Sequence, residues 1–479
     1  MATMSVMKAI DDLRDTIVGK IPMPNIQVEQ ITLALLYKFM DDMDQSSIDF
    51  GGNATFFSEE FEKYSWKKIM SNSVGAQTRY NLYTEALEKF YTHPRLPNTF
   101  KEIFKNATVP YKDAETLTNF LKIIDSEFDY KDSEQLGDAY EYLLSVLGSQ
   151  GDLGQFRTPR HIIDFIVDIV NPQKSSTILD PACGTAGFLI SAYKKILENN
   201  TEKIEGDKLT FDEKSEILKN INGYDIEPSM VRIAEMNLFL HGANEPKIYE
   251  YDTLTMDEKW NEKYDYILAN PPFMTPKGGI KPHMKFSVKA NRSEILFVDY
   301  INNHLKSTGK AGIIVPDGVV STNTVKAFKD VRKDLVENGL VAVVALPRGI
   351  FNPYSPIKTS ILFIDKKLSK EIDDILFIQL NNDGFSLGTQ RTPIAGNEIP
   401  KVTKTIKYFL ENNTIENEEN GFLVKKKDIL QESDCNLNYK KYQQIEVIEN
   451  KIDVKKSFEN IEKLDEQANE LMNKIRRFL

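Results

Sequence analysis

Residues 179–189 combine turn-forming residues with a negatively charged one, a combination that suits a binding site for a small ligand. They read Leu179-Asp180-Pro181-Ala182-Cys183-Gly184-Thr185-Ala186-Gly187-Phe188-Leu189, after a short apolar strand and at the start of a helix. Gly184 and Gly187 let the backbone turn sharply and let a ligand approach closely, and the helix start offers free N–H groups. The GxGxxG and GxxxxGK[ST] patterns of nucleotide-binding loops are absent from this segment. Asp180 disfavours a pyrophosphate and favours a cation, such as the ammonium and sulfonium groups of S-adenosylmethionine (SAM).

Acidic residues also stand where the next two strands are expected to end. Asp225 lies in the segment GYDIEP and Asp252 in the segment YDTL. A carboxylate at Asp225 can accept hydrogen bonds from both hydroxyls of a ribose. Asp252 can accept one from the amino group of an adenine. Each acid alone is more often a surface residue or a helix cap, but three on successive strand ends favour one ligand-binding edge.

The most specific motif is Asn270-Pro271-Pro272-Phe273, which follows the apolar strand YDYILA. Two prolines cannot continue a central strand, so the chain must leave the sheet here. Pro272 has no N–H, and the prolines restrict φ, which holds the Asn270 side-chain oxygen and the Pro271 carbonyl at the sheet edge. Two convergent acceptors can bind an exocyclic NH2 group. Phe273 offers a flat face to a planar ring.

Apolar strands that alternate with helices predict the architecture that positions these residues. The pattern predicts a doubly wound α/β domain with a parallel sheet covered on both faces. Residues 1–148 are expected to be helical, with Ile31, Leu36 and Phe39 on an apolar face. We therefore predict an N-terminal helical domain (1–148), an α/β domain (149–435) and a C-terminal helical tail (436–479). A break at Gly148–Gly154 separates the first two.

The C-terminal tail carries an apolar stripe with the spacing of a coiled-coil seam. Its members are Ile461, Leu464, Ala468, Leu471, Ile475 and Phe478. A single stripe of this length is marginally stable alone in water, so we expect it to pack on a partner helix or within the chain.

Composition narrows the class of protein. The chain has 479 residues, 41% hydrophobic and 27% charged, with a net charge of −11, which excludes a disordered or fibrous protein and argues against autonomous, non-specific nucleic-acid binding. Two cysteines and five histidines exclude a disulfide scaffold and disfavour a Cys-based zinc site. We expect a cytoplasmic protein without a signal peptide, a membrane span or a metal.

The three motifs together resemble those of amino (N6-adenine) DNA methyltransferases, and more narrowly those of the modification subunits of type I restriction-modification systems. The resemblance rests on DPACGTAGFL, GYDIEPSMVRIAEMNLFLHG and NPPF, and it extends over most of the chain. Two departures are Cys183, where the family has a small residue, and the extra prolines of FNPYSPIKTS. These prolines leave open whether Phe351 or Tyr354 forms a second aromatic wall for the base.

The resemblance implies roles for particular residues. Asn270 and Pro271 would accept hydrogen bonds from N6 of an adenine extruded from the duplex, Pro272 would stiffen the loop, and Phe273 would stack on the base. SAM would be held by two groups of residues. One is the segment of Gln155, Phe156, Arg157, Thr158, Pro159 and Arg160, which caps the methionine end in the family. The other comprises Asp180, Gly184, Thr185, Ala186, Gly187, Asp225 and Asp252.

A basic stretch follows the NPPF motif without an intervening acid. It contains Lys277, Lys281, His283, Lys285, Lys289 and Arg292. Such a run is usually solvated surface, but its position favours contacts between DNA phosphates and Lys277, Lys281, Lys285, Lys289 and Arg292.

The sequence contains no recognisable DNA-reading module, ATP-binding loop or nuclease motif. The family resemblance therefore implies a double-stranded DNA substrate, a separate specificity subunit flanked by two copies of this chain, and an added restriction and translocation subunit. Two alternatives stay open: a protein glutamine or RNA amino methyltransferase, and a catalytically silent assembly subunit. An NAD-dependent oxidoreductase is disfavoured because GxGxxG is missing and NPPF would have no role.

Overall fold

The computed structural model of the chain describes residues 4–49, 52–128, 140, 142–144, 158–243, 245–273, 275–276, 278–352, 355–388, 391–416 and 421–443, together with 464, 466–467 and 471–472. The chain forms two compact units, Met1–Lys441 and Tyr442–Leu479. Among the helices in these ranges, none has the length and apolarity needed to cross a membrane.

In the described ranges, six helices and one 3-10 helix form the N-terminal part. They are α1 (Met4–Val18), α2 (Pro24–Asp49), the 3-10 helix (Glu59–Tyr64), α3 (Trp66–Ile69), α4 (Ala76–Phe90), α5 (Asn98–Phe104) and α6 (Ala114–Glu127). The apolar residues predicted to share a face of α2, Ile31, Leu36 and Phe39, are all buried. Asp113 caps α6 by accepting a hydrogen bond from the Thr116 N–H, as expected of an acidic N-cap.

A nine-stranded sheet forms the centre of the α/β part. Its strands are β1 (Ile178–Asp180), β2 (Ile221–Asp225), β3 (Lys247–Glu250), β4 (Tyr264–Ala269), β5 (Leu305–Pro316), β6 (Leu340–Ala345), β7 (Thr359–Asp365), β8 (Asp374–Gln379) and β9 (Gly421–Lys425). Their order is β3-β2-β1-β4-β5-β7-β6-β8-β9. Every residue of β6 and β7 is buried. Since successive side chains of a strand point to opposite faces, both faces of the sheet are covered there, as predicted.

The prediction of an α/β sheet is confirmed, but the prediction that it is parallel is wrong at two strands. β7 lies between β5 and β6 and is antiparallel to both, and β9 is antiparallel to β8. A parallel connection needs a long crossover, usually a helix, whereas an antiparallel return does not. Residues 346–358 join β6 to β7 with no helix among the described residues, as an antiparallel return permits.

Ten helices of the described part accompany the sheet. They are α7 (Arg160–Val170), α8 (Gly187–Asn199), α9 (Phe211–Lys219), α10 (Pro228–Leu240), α11 (Ser293–His304), α12 (Asp317–Ser321), α13 (Lys326–Asn338), α14 (Ile399–Asn412), α15 (Lys426–Gln431) and α16 (Tyr439–Tyr442). β1 pairs with β4 on one side and with β2 on the other, while the far side of β4 pairs with β5. The order of the strands therefore reverses between β1 and β4, whose carboxyl ends are neighbours. Ligands of open α/β sheets bind at such a switch point.

Helix α10 belongs to the hydrophobic cores of both parts. Val231, Ala234 and Leu238 pack in the core of the sheet. Phe239, on another face of the helix, packs edge-on against Phe100 in the N-terminal core, with ring centroids 4.1 Å apart. Because α10 follows Asp225 directly, the N-terminal helices are packed against the element that leaves the candidate ligand-binding edge.

Several predicted features lie outside the described residues. These are the break at 148–154, residues Gln155, Phe156, Arg157, Lys277 and Tyr354, and four members of the C-terminal stripe, Ile461, Ala468, Ile475 and Phe478. The remaining two members of the stripe, Leu464 and Leu471, are helical and exposed.

Candidate active site at the carboxyl ends of β1, β2 and β4

The turn after β1 is tight at Gly184, as predicted, whereas Gly187 is the first residue of α8 and does not have a positive φ. Gly184 has φ of +52° and Ala186 has φ of +65°, a left-handed conformation that favours glycine. The Gly184 N–H donates to Asp225 Oδ2 (3.0 Å), and the Cys183 N–H donates to the Tyr224 carbonyl (2.8 Å). The turn is therefore fixed to the end of β2, which brings two of the predicted motifs together.

Two further contacts attach this turn to its surroundings. Thr253, which follows β3, donates from its hydroxyl to the Pro181 carbonyl (2.8 Å). Asn237 of α10 donates from its side-chain amide to the Thr185 carbonyl (2.8 Å). Sequence reasoning missed both residues, because an isolated polar side chain gives no signal of its distant partner.

Gly223 of β2 is a third residue whose role was missed. A Cβ there would lie 2.6 Å from Ile248 Cδ1, 3.0 Å from Cys183 Sγ and 3.0 Å from Leu189 Cδ1. The absent side chain thus allows the glycine turn and the start of α8 to approach β2. Glycine inside a strand often marks such a close approach, and that signal was available in the sequence.

The acid at the end of β1 is buried and the acid at the end of β2 is partly buried, an arrangement that favours a cationic ligand. Asp180 is 2% exposed and accepts a hydrogen bond from the Ala182 N–H (3.0 Å). Burial, with the added charge of Asp225, raises the pKa of Asp180 to about 8. Burial also raises the pKa of Asp225, although hydrogen bonds from the Glu227 and Gly184 N–H groups oppose this. A nearby positive charge would favour ionisation of both carboxyls.

Asp252 lies after β3, as predicted, and its carboxylate is engaged locally. Oδ1 accepts hydrogen bonds from the N–H groups of Leu254 (3.0 Å) and Thr255 (3.3 Å). Oδ2 accepts one from the Thr255 hydroxyl. These bonds fix the carboxylate in one orientation at the partly exposed strand end.

Asn270 follows β4, and its side chain makes a polar contact with a residue that the sequence analysis did not pair with it. Its amide nitrogen donates to the Thr158 hydroxyl (2.8 Å), and Thr158 is itself buried. Its amide oxygen is buried, and no donor contacts it among the residues that the structure describes. A buried acceptor without a donor is costly and uncommon. Asn270 Oδ1 shares this state with other buried polar atoms of the described residues, such as Asn237 Oδ1, and it is the one that lies in the NPPF motif.

The rest of the motif is partly in the core. Pro271 is buried and Pro272 is exposed. Phe273 is 6% exposed and packs edge-on against Phe351, with ring centroids 5.8 Å apart. Phe351 is itself fully enclosed in the core of the sheet, so it supports Phe273 from within.

The segment before α7 is described from Thr158 onward. The Pro159 carbonyl accepts hydrogen bonds from the Ile162 and Ile163 N–H groups at the start of α7, and Arg160 pairs with Asp164 (3.2 Å). His161 forms a contact that the sequence did not reveal. Its Nε2 lies 2.7 Å from Asp383 Oδ2. These contacts fix the start of α7, and the bond to Asn270 joins Thr158 to the residue after β4.

The basic stretch is less cationic in the fold than in the sequence. Lys285 pairs with Asp257 (2.8 Å), and Arg292 pairs with Glu294 (2.8 Å). Lys281 and Lys289 are exposed, and neither has an ion-pair partner within the described ranges. The predicted acid-free run therefore has two of its charges neutralised by acids outside it.

Comparison with known proteins finds methylase subunits of type I restriction enzymes among the relatives of this chain. A model of the N-6 DNA Methylase family matches residues 131–451. The methylase subunit of the type I restriction enzyme EcoEI from Escherichia coli is 30% identical over 328 residues, which is 64% of each chain. The methylase subunit of the type I restriction enzyme MjaIX from Methanocaldococcus jannaschii is 27% identical over 439 residues. That match covers 87% of this chain and 75% of the relative.

A solved structure shows the same fold. The methyltransferase subunit of a type I restriction-modification system from Streptococcus thermophilus superposes with a TM-score of 0.70 at 18% identity. The superposition covers 92% of this chain and 99% of that one. The chain thus has this fold along most of its length, although it spans just 64% of the length of the E. coli relative.

Proposed function

Because this chain belongs to the N-6 DNA methylase family, we propose that it is the modification subunit of a type I restriction-modification system and methylates N6 of adenine in DNA. The observation that carries the proposal is the buried oxygen of Asn270, which has its amide nitrogen held by Thr158 and lacks a donor in the described part of the chain. An adenine amino group supplies the missing donor.

The residues around the glycine turn fit SAM as the methyl source. When bound, SAM supplies an electrophilic methyl group and carries positive charge. Asp180 is buried, Asp225 is partly buried, and both have raised pKa values, so a cation beside them would favour their ionised forms. The turn at Gly184 to Gly187 and the backbone before α7 would hold the remainder of the SAM molecule. All the cofactor-binding residues predicted from the sequence belong to this proposal.

The chain's own contribution to catalysis is positioning and electrostatics. N6 of adenine is a poor nucleophile, because its lone pair is delocalised into the ring. Hydrogen bonds from the two N6 hydrogens to Asn270 Oδ1 and to the Pro271 carbonyl favour a tetrahedral nitrogen whose lone pair points away from the ring. Phe273 supports the extruded base, and stacking on an aromatic side chain contributes about 1–3 kcal/mol. These preorganised acceptors lower the barrier without a covalent intermediate.

Sequence specificity is proposed to come from a separate subunit. Two copies of this chain would flank one specificity chain, with the apolar stripe of the tail (436–479) as the contact, and a restriction subunit would join them. The relatives named above are methylase subunits of type I restriction enzymes, and that supports assembly with other subunits. We retain the division into domains 1–148, 149–435 and 436–479 as part of the proposal.

The test is Asn270→Ala in the complex co-purified with its specificity subunit. Methylation of host DNA, mapped by sequencing, first identifies the modified site in the wild type. The variant should bind SAM in calorimetry as the wild type does, because Asn270 contacts the target base, and should lose methyl transfer. Asn270→Asp, which keeps an acceptor oxygen, should retain part of the activity. Full turnover by Asn270→Ala would refute the role of this residue. Methylation of RNA or protein in place of duplex DNA would favour the alternative function, a protein glutamine or RNA amino methyltransferase.

A further inference from the structure

We propose that Met284 inserts into the DNA helix when the target adenine is extruded, and so occupies space that the base vacates. This inference rests on the proposed function. Met284 is 96% exposed, in a segment where the neighbouring apolar residues are at least partly covered. In the described part of residues 275–292, it is the only exposed large apolar side chain.

The segment that carries Met284 is anchored on both sides of it. On one side, the His283 N–H donates to the Leu254 carbonyl (3.2 Å), and the His283 ring packs edge-on against Trp260 at 4.5 Å. On the other side, Phe286 packs against the same Trp260 at 5.0 Å. Met284 therefore projects from a braced loop, and little conformational freedom of the backbone has to be lost when it contacts a ligand.

The base of the loop is closed and joined to the active site. The Ile280 N–H donates to the Asn291 carbonyl (2.9 Å), and the Ser287 N–H donates to Asp299 Oδ2 (2.9 Å). The Ser293 hydroxyl donates to the Pro272 carbonyl (3.4 Å), so the end of the loop contacts the NPPF motif directly. The loop and the proposed base acceptors are thus parts of one connected structure.

The charges around Met284 favour a nucleic acid as its partner. In the sequence, Met284 lies between Lys281 and Lys289, which are exposed and have no ion-pair partner in the described ranges. An apolar side chain flanked by cations suits a duplex whose phosphates flank a stack of bases. Methionine is among the side chains that proteins insert between base steps. A protein partner is less well matched, because one methionine offers far less apolar area than a stable interface of about 800 Å² per partner requires.

The experiment uses the complex of wild-type chain and specificity subunit, and a duplex that contains the mapped site with 2-aminopurine in place of the target adenine. Fluorescence of 2-aminopurine rises when the base leaves the stack. Met284→Ala should lower this rise and slow methylation of the corresponding adenine duplex by about tenfold or more, since extrusion of a paired base costs a few kcal/mol. Met284→Leu should remain close to wild type. Met23→Ala is the matched control, because Met23 is 53% exposed but lies between α1 and α2.

A mismatched duplex distinguishes insertion from a general loss of binding. A mismatch opposite the target adenine reduces the cost of extrusion, so it should restore the rate of Met284→Ala towards that of the wild type. Wild-type fluorescence and rate in Met284→Ala on the paired duplex would overturn the proposal. So would loss of the specificity subunit from that variant in gel filtration, which would indicate a protein contact. Failure of the wild type to methylate duplex DNA would instead refute the proposed function itself.

Discussion

Thr158 and Asn270 are 112 residues apart in the chain, yet their side chains share a hydrogen bond of 2.8 Å. The bond engages one hydrogen of the Asn270 amide nitrogen, whereas the amide oxygen has no donor among the described residues. Thr158 belongs to the segment before α7, which sequence resemblance assigned to the cofactor, whereas Asn270 was assigned to the base. The structure therefore connects the two groups of residues through one hydroxyl.

The first prediction concerns this hydroxyl. Thr158→Val keeps the shape of the side chain but leaves the Asn270 amide nitrogen without its acceptor, at a cost of about 1–3 kcal/mol. We expect methyl transfer to slow by about tenfold or more, which corresponds to about 1.4 kcal/mol in the barrier. Thr158→Ser, which restores the hydroxyl, should recover most of the rate. Equal turnover by the valine and serine variants in a single-turnover assay would contradict the assignment.

The second prediction tests Phe273 without opening the core. Phe273→Ala would leave a cavity beside Phe351 and cost about 3–5 kcal/mol of stability. Phe273→Leu retains most of the volume but removes the flat ring, so stacking worth about 1–3 kcal/mol should be lost. We expect weaker binding of the extruded base and slower methylation, with SAM affinity and melting temperature close to wild type. A leucine variant with wild-type methylation kinetics would show that Phe273 is a core residue alone.

A third prediction concerns the proton on Asp180. Its pKa of about 8 means that the free protein carries a proton there at neutral pH, and a cationic ligand should displace it. SAM affinity should therefore increase as the pH rises from about 6 to about 8, and level off above that. Calorimetry in buffers of different ionisation enthalpy measures the proton released. Asp180→Asn should remove this release, and absence of proton release in the wild type would rule out the coupling.

The close approach at Gly223 gives a fourth prediction. Gly223→Ala places a Cβ within 3.0 Å of Cys183 Sγ and closer still to Ile248 Cδ1, and such overpacking costs about 1–3 kcal/mol. We expect a lower free energy of unfolding and weaker SAM binding, because the displaced Cys183 adjoins the glycine turn. Gly19→Ala is the control, since no atom lies within 4 Å of its added Cβ. Chemical denaturation and calorimetry measure the two effects, and identical values for both variants would contradict the packing argument.

The ion pairs of the basic stretch lead to a fifth prediction. The double variant Lys281→Gln, Lys289→Gln removes the two exposed lysines that have no described ion-pair partner. The slope of log affinity for DNA against log salt concentration should therefore become shallower, by an amount that corresponds to about two phosphate contacts. Lys285→Gln should have a smaller effect, because Asp257 already neutralises that lysine. Lys208→Gln, in the loop before α9, serves as the control. A double variant with the wild-type slope would remove Lys281 and Lys289 from the DNA interface.

Much of the architecture was predictable because it depends on local patterns. Alternating apolar strands and amphipathic helices predicted the α/β sheet and its covered faces, and the helical spacing around Ile31 predicted an N-terminal helix whose apolar face is buried. The glycine turn at Gly184 and the exit from the sheet at Pro271 follow from backbone preferences of glycine and proline, which act at single residues. The acids after β1 and β2 were predictable because parallel strands end at the same edge.

Tertiary structure alone decided the remaining features. Strand β7 is inserted in reverse because its pairing depends on hydrogen bonds to two other strands, and its own apolar pattern does not encode direction. The Thr158 to Asn270 bond, the space around Gly223 and the neutralisation of Lys285 by Asp257 all involve partners that are distant in sequence. A sequence specifies which groups can donate, accept or carry charge, whereas only the folded chain determines which of them are paired and which, like Asn270 Oδ1, are left for a ligand.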